Sequence, residues 1–259
     1  VRRGLLHLCA APALALALCA QARAQELSRF SCERPQPWEA GALKNVSLAA
    51  AAIDGLVLQP GEDFSFNKTM AGLHGGFVPG TSYLAGREVK SVGGGICQVS
   101  SGLYNAALLA GLDVLERSSH SLYDPAEAYV EPGRDAMVTA GGGSDFRFRN
   151  STAAPLAIHA SAKGGRLDIT LTGRQRHPRR RWIESKVLAR DPMRSVEIAS
   201  RSLAPGTRSL RRPGFDGLTV AVSLCWAAPG GTTRSAALGV DHYGRVDEEW
   251  SVAGPERKP

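Results

Sequence analysis

An α+β fold is predicted for this chain: two helices packed on a mostly antiparallel sheet, followed by a small β-rich C-terminal domain. Three observations point there. Residues 42–53 and the stretch after Gly95 place apolar side chains at helical spacing. Short runs between 113 and 171 are broken by turn signals such as Pro132-Gly133 and Gly141-Gly142-Gly143. Beyond Gly173 the composition shifts, and Pro213-Gly214, Pro229-Gly230 and Tyr243-Gly244 punctuate further short strands. Together they read as helices gathered on an antiparallel sheet rather than alternating with parallel strands.

Residues 1–24 have the layout of a secretory signal peptide: a basic start, an apolar run from Gly4 to Ala20 and an Ala22-Arg23-Ala24 cleavage site. Export to the periplasm or outer cell envelope is expected, with no stable membrane anchor, since no later run is apolar enough to span a bilayer. Residues 25–40, polar and carrying two prolines, read as an irregular lead-in. Residues 41–173 form the main domain. It starts with a helix whose Leu43, Val46, Ala50 and Ile53 share a face, ended by Asp54-Gly55. Phe64 and Phe66 alternate like a short strand, residues 69–82 read as a long surface loop, and 83–92 as a strand or an extended approach to the Gly loop. Strands are expected at 113–117, 127–130, 135–140, 145–149, 155–160 and 166–171. Residues 174–181 form an Arg-rich linker, and 182–259 a small β-rich domain with strands near 218–226, 233–240 and 245–252.

The chemistry concentrates in VGGGICQVSSGLYNAALLAG, residues 92–111. Gly93, Gly94 and Gly95 open a loop, Val99, Leu103, Ala106, Ala107 and Ala110 mark a buried helix face, and Gly111 is placed as a left-handed cap. Cys97 then lies at the helix N-terminus, where unpaired N–H groups and the dipole favour a thiolate. The N–H groups of Cys97 and Gln98 are candidate oxyanion donors, and the glycines leave a path to the sulfur. A cysteine in such a place is also an ordinary packing residue. The loop is no P-loop, because no lysine lies between Lys90 and Lys163. His120 is the first choice of base, His74 the second, and His159 reads as structural. Asp135 is the favoured orienting carboxylate, with Asp124 and Asp145 as alternatives. Arg134 is a candidate fork for a substrate carboxylate. Tyr104 reads as core, and Asn105 as a cap of the sheet or a cleft residue.

Several strings resemble the VanW family of bacterial cell-envelope proteins: residues 45–67, 92–121, 129–138 and 145–150, covering roughly 40 to 173 in the family's order. GGGICQVS followed by a downstream RxxHS carries the likeness furthest. The resemblance implies the cell surface, peptidoglycan or its stem peptides as partner, and a link to glycopeptide resistance. The Cys/His pair is similar to that of L,D-transpeptidases, so a Cys-dependent acyl transfer by Cys97, His120 and Asp135 is implied, with Gly93, Gly94, Gly95, Gln98 and Arg134 at the substrate. A non-catalytic envelope module is the alternative. The tail from about residue 200 resembles a G5 module.

The formal charge of +7 falls to +4 once Arg2, Arg3 and Arg23 leave with the leader. That balance suits an anionic envelope, and no aromatic-interleaved basic motif points to nucleic acid. No cofactor is expected, and the cysteine spacing forms no zinc motif. Cys32 and Cys225 are expected to pair, leaving Cys97 free in an oxidising compartment.

Overall fold

The computed structural model describes residues 24–35, 39–73, 75–84, 87–139, 143–174 and 180–253. The expected leader up to residue 23, His74, and residues 175–179 of the Arg-rich stretch lie outside the described residues. In chain order the elements are β1 (Gln25–Glu33), α1 (Ala40–Ile53), β2 (Val57–Leu58), β3 (Asp63–Ser65), α2 (Phe66–Ala71), β4 (Pro79–Leu84), β5 (Arg87–Val92) and α3 (Cys97–Ala110). They continue with β6 (Asp113–Glu116), β7 (Arg147–Arg149), β8 (Leu156–Lys163) and β9 (Arg166–Gly173). The tail holds β10 (Arg181–Asp191), β11 (Ser195–Ser200), β12 (Arg208–Arg212), β13 (Gly217–Ala227), β14 (Thr233–Tyr243) and β15 (Glu248–Ala253).

The fold is mostly β, with 48% strand and 16% helix among the described residues, and this corrects the expected α+β arrangement of two helices packed on one sheet. The strands form five small sheets among the described residues: β1-β9-β8-β2, β3-β7-β6, β4-β5, β10-β13-β14 and β11-β15-β12. Pairing is antiparallel except between β11 and β15.

The excess of strand came from segments without a clean alternation. Residues 25–33, read as an irregular lead-in, are β1, paired along β9. Its buried positions include Ser28 and Cys32 rather than large aliphatics. Ser28 fits because its hydroxyl donates to the Ala106 carbonyl at 2.7 Å. Phe66 does not extend the strand that Phe64 lies in. Ser65 caps a third helix by accepting from the Lys68 N–H at 3.1 Å, and Phe66 becomes its first, fully buried residue. The supposed loop at 69–82 ends in the β4–β5 hairpin. Of the strands expected at 127–130 and 135–140, residues 127–130 and 135–139 are not strands, and residue 140 lies outside the described residues; Met137 makes a single bridge to Ser118.

The core lies between α3 and the first sheet. Val99, Leu103, Ala106 and Ala107 from the helix, and Leu167, Ile169 and Leu171 from β9, are completely buried. Gly102 allows the close approach: a Cβ there would stand 2.7 Å from the Leu167 side chain. Gly111, at φ +77°, closes α3 in the left-handed region. The cysteine pairing is also corrected. Cys32, Cys97 and Cys225 are free thiols, with Cys32 facing Leu167 in one sheet and Cys225 between Trp182 and Ser235 in another. No helix among the described residues is long and apolar enough to cross a membrane.

Candidate functional site

The loop before α3 is shaped by close packing against the chain itself. A Cβ on Gly94 would stand 2.2 Å from the Gly80 carbonyl oxygen, and one on Gly95 3.1 Å from the Ala42 side chain. Gly93 and Gly95 take φ +83° and +102°, angles that a side chain would strain. Asn45, fully buried on α1, fastens the loop. Its amide donates to the Val78 and Gly94 carbonyls at 2.8 and 2.9 Å, and its oxygen accepts from the Val78 N–H at 2.9 Å. Cys97 is thereby held at the first position of α3, partly exposed.

Cys97, Ser101 and Asn105 are spaced by one helical turn each and share a face. Together with Ser100 they bind the segment 134–138. Ser101 Oγ accepts from the Ala136 N–H at 2.8 Å, and Ser100 Oγ donates to the Ala136 carbonyl at 2.6 Å. Asn105 donates to the Arg134 carbonyl at 2.7 Å. The Met137 N–H then donates to Ser118 at 2.8 Å, which carries the turn bearing His120 against the same helix.

The result brings Cys97, His120 and Asp135 together. His120 Nδ1 lies 2.5 Å from Asp135 Oδ2, and the backbone N–H of His120 donates to the same oxygen at 2.6 Å. With Nδ1 so occupied, Nε2 is the nitrogen left for the hydrogen bond with the Cys97 thiol. Burial opposes charge on all three groups, but the contacts among them win. Burial pushes the Cys97 thiol up, yet the hydrogen bond and charge of His120 bring it below its ordinary value. Burial would lower His120, but Asp135 and Cys97 raise it to about 10. Burial would raise Asp135, but His120 and Arg117 hold it down, to about 2. Such an arrangement favours a thiolate–imidazolium pair oriented by a carboxylate.

Three residues that sequence reasoning passed over complete the surroundings of Asp135. Arg117 Nε donates to the Asp135 backbone carbonyl at 2.7 Å and Nη2 to Oδ1 at 3.2 Å. Its Nη1 donates to both oxygens of Asp241, at 2.6 and 2.7 Å. Tyr243 donates to Asp135 Oδ1 at 2.6 Å and accepts from the Gly133 N–H at 2.7 Å. Arg117 had a signal in the RSSHS string, whereas Tyr243 was read only as part of a turn. A fourth, Tyr129, is raised by burial and by the charge of Cys97, and its phenol bonds Ser101.

The remaining sequence candidates are engaged elsewhere. Gln98 is buried, its amide donating to Gly165 at 2.9 Å, and its N–H is taken by the Gly95 carbonyl at 3.1 Å. Arg134 Nε donates to Asn105 at 2.8 Å, with the guanidinium over the Phe30 ring. Tyr104 is buried beneath Arg117. Asp145 accepts from Ser65 and from the Asn67 N–H, Asp124 from the Ala126 N–H, and His159 meets Thr172 on an exposed face of β8. Among the described residues, no group of three or more His, Cys, Asp or Glu is placed to hold a metal.

The family model described as VanW like protein matches residues 42–172. A Bacillus subtilis protein named uncharacterized protein YoaR is 46% identical over 129 residues, covering 49% of this chain and 41% of the relative. The vancomycin B-type resistance protein VanW of Enterococcus faecalis is 32% identical over 112 residues, covering 42% of this chain and 40% of the relative. The chain thus matches about two fifths of the length of these curated relatives. Among solved structures, the G5 domain of HP0197 matches 28% of this chain and 96% of its own, at TM-score 0.17 and 15% identity. The IgA1 protease G5 domain matches 31% of this chain and 98% of its own, at TM-score 0.21 and 8% identity.

Proposed function

The chain belongs to the VanW family, and from that premise we propose that it is an exported cell-envelope protein linked to vancomycin resistance, acting on peptidoglycan stem peptides by Cys-dependent acyl transfer. The family and the printed name of the Enterococcus relative support the coarser part of this reading. The finer part rests on one observation: Cys97, with its thiol held below the ordinary value, shares a hydrogen-bonded group with His120 and Asp135.

In the proposed reaction the Cys97 thiolate adds to an amide carbonyl carbon of the stem peptide. The carbonyl electrons move to oxygen, facing the Cys97 N–H, one of the amides a helix start leaves without an intrahelical acceptor. As the carbonyl re-forms, the C–N bond breaks, and the amine leaves with the proton from His120 Nε2. An acceptor amine or water then adds to the thioester, giving its proton to His120 and expelling the thiolate. Asp135 stays ionised throughout and holds the ring through Nδ1.

A non-catalytic envelope module is the second reading, favoured by the curated relative's name, which states resistance and no reaction. Incubation with muropeptides followed by mass spectrometry separates the two. The first predicts an acyl adduct on Cys97 that His120→Ala reduces by a factor of about 10² or more. Absence of any adduct, with cell-wall binding that survives Cys97→Ala, would establish the second instead.

A further inference from the structure

We propose that Tyr243 and Asp241, on the tail strand β14, are positioning residues for the Cys97–His120–Asp135 group, which makes the C-terminal strands a working part of the site. The inference rests on the reading of that group given above and extends it to residues more than a hundred positions away in sequence. A carboxylate held through one oxygen can still turn about its Cβ–Cγ bond. Asp135 is held through both. Oδ2 faces the ring and backbone of His120, while Oδ1 takes the Tyr243 hydroxyl at 2.6 Å and Arg117 at 3.2 Å.

The direction of the Tyr243 contact follows from its other partner. The Gly133 N–H can only donate, so the phenol oxygen accepts there, and its single proton points at Asp135. Asp241 acts one step further out. It takes Arg117 Nη1 with both oxygens, which aims the rest of the guanidinium at the backbone carbonyls of Gly133 and Asp135. The tail also grips the far side of the histidine turn. The Gly244 N–H donates to the Ser121 carbonyl at 2.8 Å, and Tyr123 meets the Tyr243 ring edge-on at 5.6 Å. Gly133 allows a close approach: a Cβ there would stand 2.3 Å from the Val222 side chain. The ionisable groups that interact with Asp135 are His120 and Arg117 from the adjoining turn, Tyr243 from the tail, Cys97 and Tyr104 on α3, and Tyr123 and Tyr129.

The test is the rate of Cys97 alkylation by iodoacetamide in the full chain, followed from about pH 4 to about pH 10 beside thermal melting. Tyr243→Phe should slow alkylation about tenfold near pH 6 and rejoin the unsubstituted protein at high pH, because the thiolate loses its oriented partner rather than its access. Asp241→Asn should slow it by about threefold in the same region. His242→Ala, on the same strand but bonded only to Thr219 at an exposed site, serves as the control for disturbing the tail. A purely structural contact would lower the melting temperature and leave the pH profile in place. That result for Tyr243→Phe, with His120→Ala still losing the low-pH limb, overturns the tail's role and leaves the Cys97–His120 pair standing. An ordinary thiol profile in the unsubstituted protein would overturn both.

Discussion

The region before Gly173 and the strands after it treat polar atoms in opposite ways. In the first, Asn45, Ser100, Ser101, Asn105 and Asn150 are fully buried, and each is hydrogen-bonded to backbone of a separate segment. In the second, Ser185 Oγ and Arg212 Nε are buried without a partner, while Val187, Leu188, Val196, Leu210, Leu238 and Val240 face solvent. Most of β14 is exposed on both faces. Among the described residues, the tail joins the main core through Ile183, Leu218, Val220, Val222 and Tyr243. Buried polar groups in the first region fix loops that a hydrophobic core alone would leave loose. The tail docks at the end of α3 through Arg181 and behind Asp135 through Tyr243.

The largest effect is expected at the join. Arg117 and Asp241 are nearly buried, at 13% side-chain exposure each, so Arg117→Ala leaves the Asp241 carboxylate stranded and takes the donor from two backbone carbonyls, of Gly133 and Asp135. Removing one partner of a buried pair costs roughly 3–5 kcal/mol. Denaturant unfolding followed by tryptophan emission should show that loss, since all three tryptophans among the described residues (Trp182, Trp226 and Trp250) lie in the tail. A change below about 1 kcal/mol, the range of an exposed pair, would mean the regions are joined by apolar contact alone.

The same contrast decides what was legible in the sequence. Cys97, His120 and Asp135 stood out by residue type beside glycines and turns, and the helix around Leu103 by its period. Asp241 and Tyr243 carry no local pattern, because each has a partner that the chain reaches only after folding, and Arg117 had no signal beyond its place in the RSSHS string. The mostly β character was hidden for a related reason. A strand exposed on both faces, such as β12, has no alternation to read, and β1 carries Ser28 where an aliphatic residue would have marked the inward face. Gly94 was read as opening a path to the sulfur, whereas the backbone of Gly80 fills that space.

Two valines on neighbouring strands sharpen the comparison at a smaller scale. Val220 on β13 is fully buried, whereas Val240 on β14 is 49% exposed. Val220→Ala should cost about 1.5–2 kcal/mol, from roughly 0.8 kcal/mol per buried methylene plus a residual cavity. Val240→Ala should stay within about 0.5 kcal/mol. Equal costs in chemical denaturation would show that the exposed face of β14 is covered in solution.

The smallest disturbance of the fold, and the finest comparison between regions, is limited alkylation of the three described cysteines. Cys32 in the first sheet is pushed by burial up to about 12, which leaves about one molecule in 10⁵ as thiolate near pH 7. Burial raises Cys225 in the tail, and the neighbouring Glu184 adds to the effect. Cys97 alone among the three moves down, through His120. Peptide mapping after brief iodoacetamide treatment near neutral pH should therefore find the label on Cys97 well before the other two. Because its pKa is depressed, the reactivity of Cys97 should persist below the ordinary thiol range and fade only as acid protonates it. In His120→Ala the largest influence that remains is burial, which acts upward with the charge of Asp135 and against the Val138 backbone contact, so the midpoint should move up out of its depressed range. Labelling of Cys32 or Cys225 at a comparable rate would show that Cys97 gains nothing from its place at the start of α3.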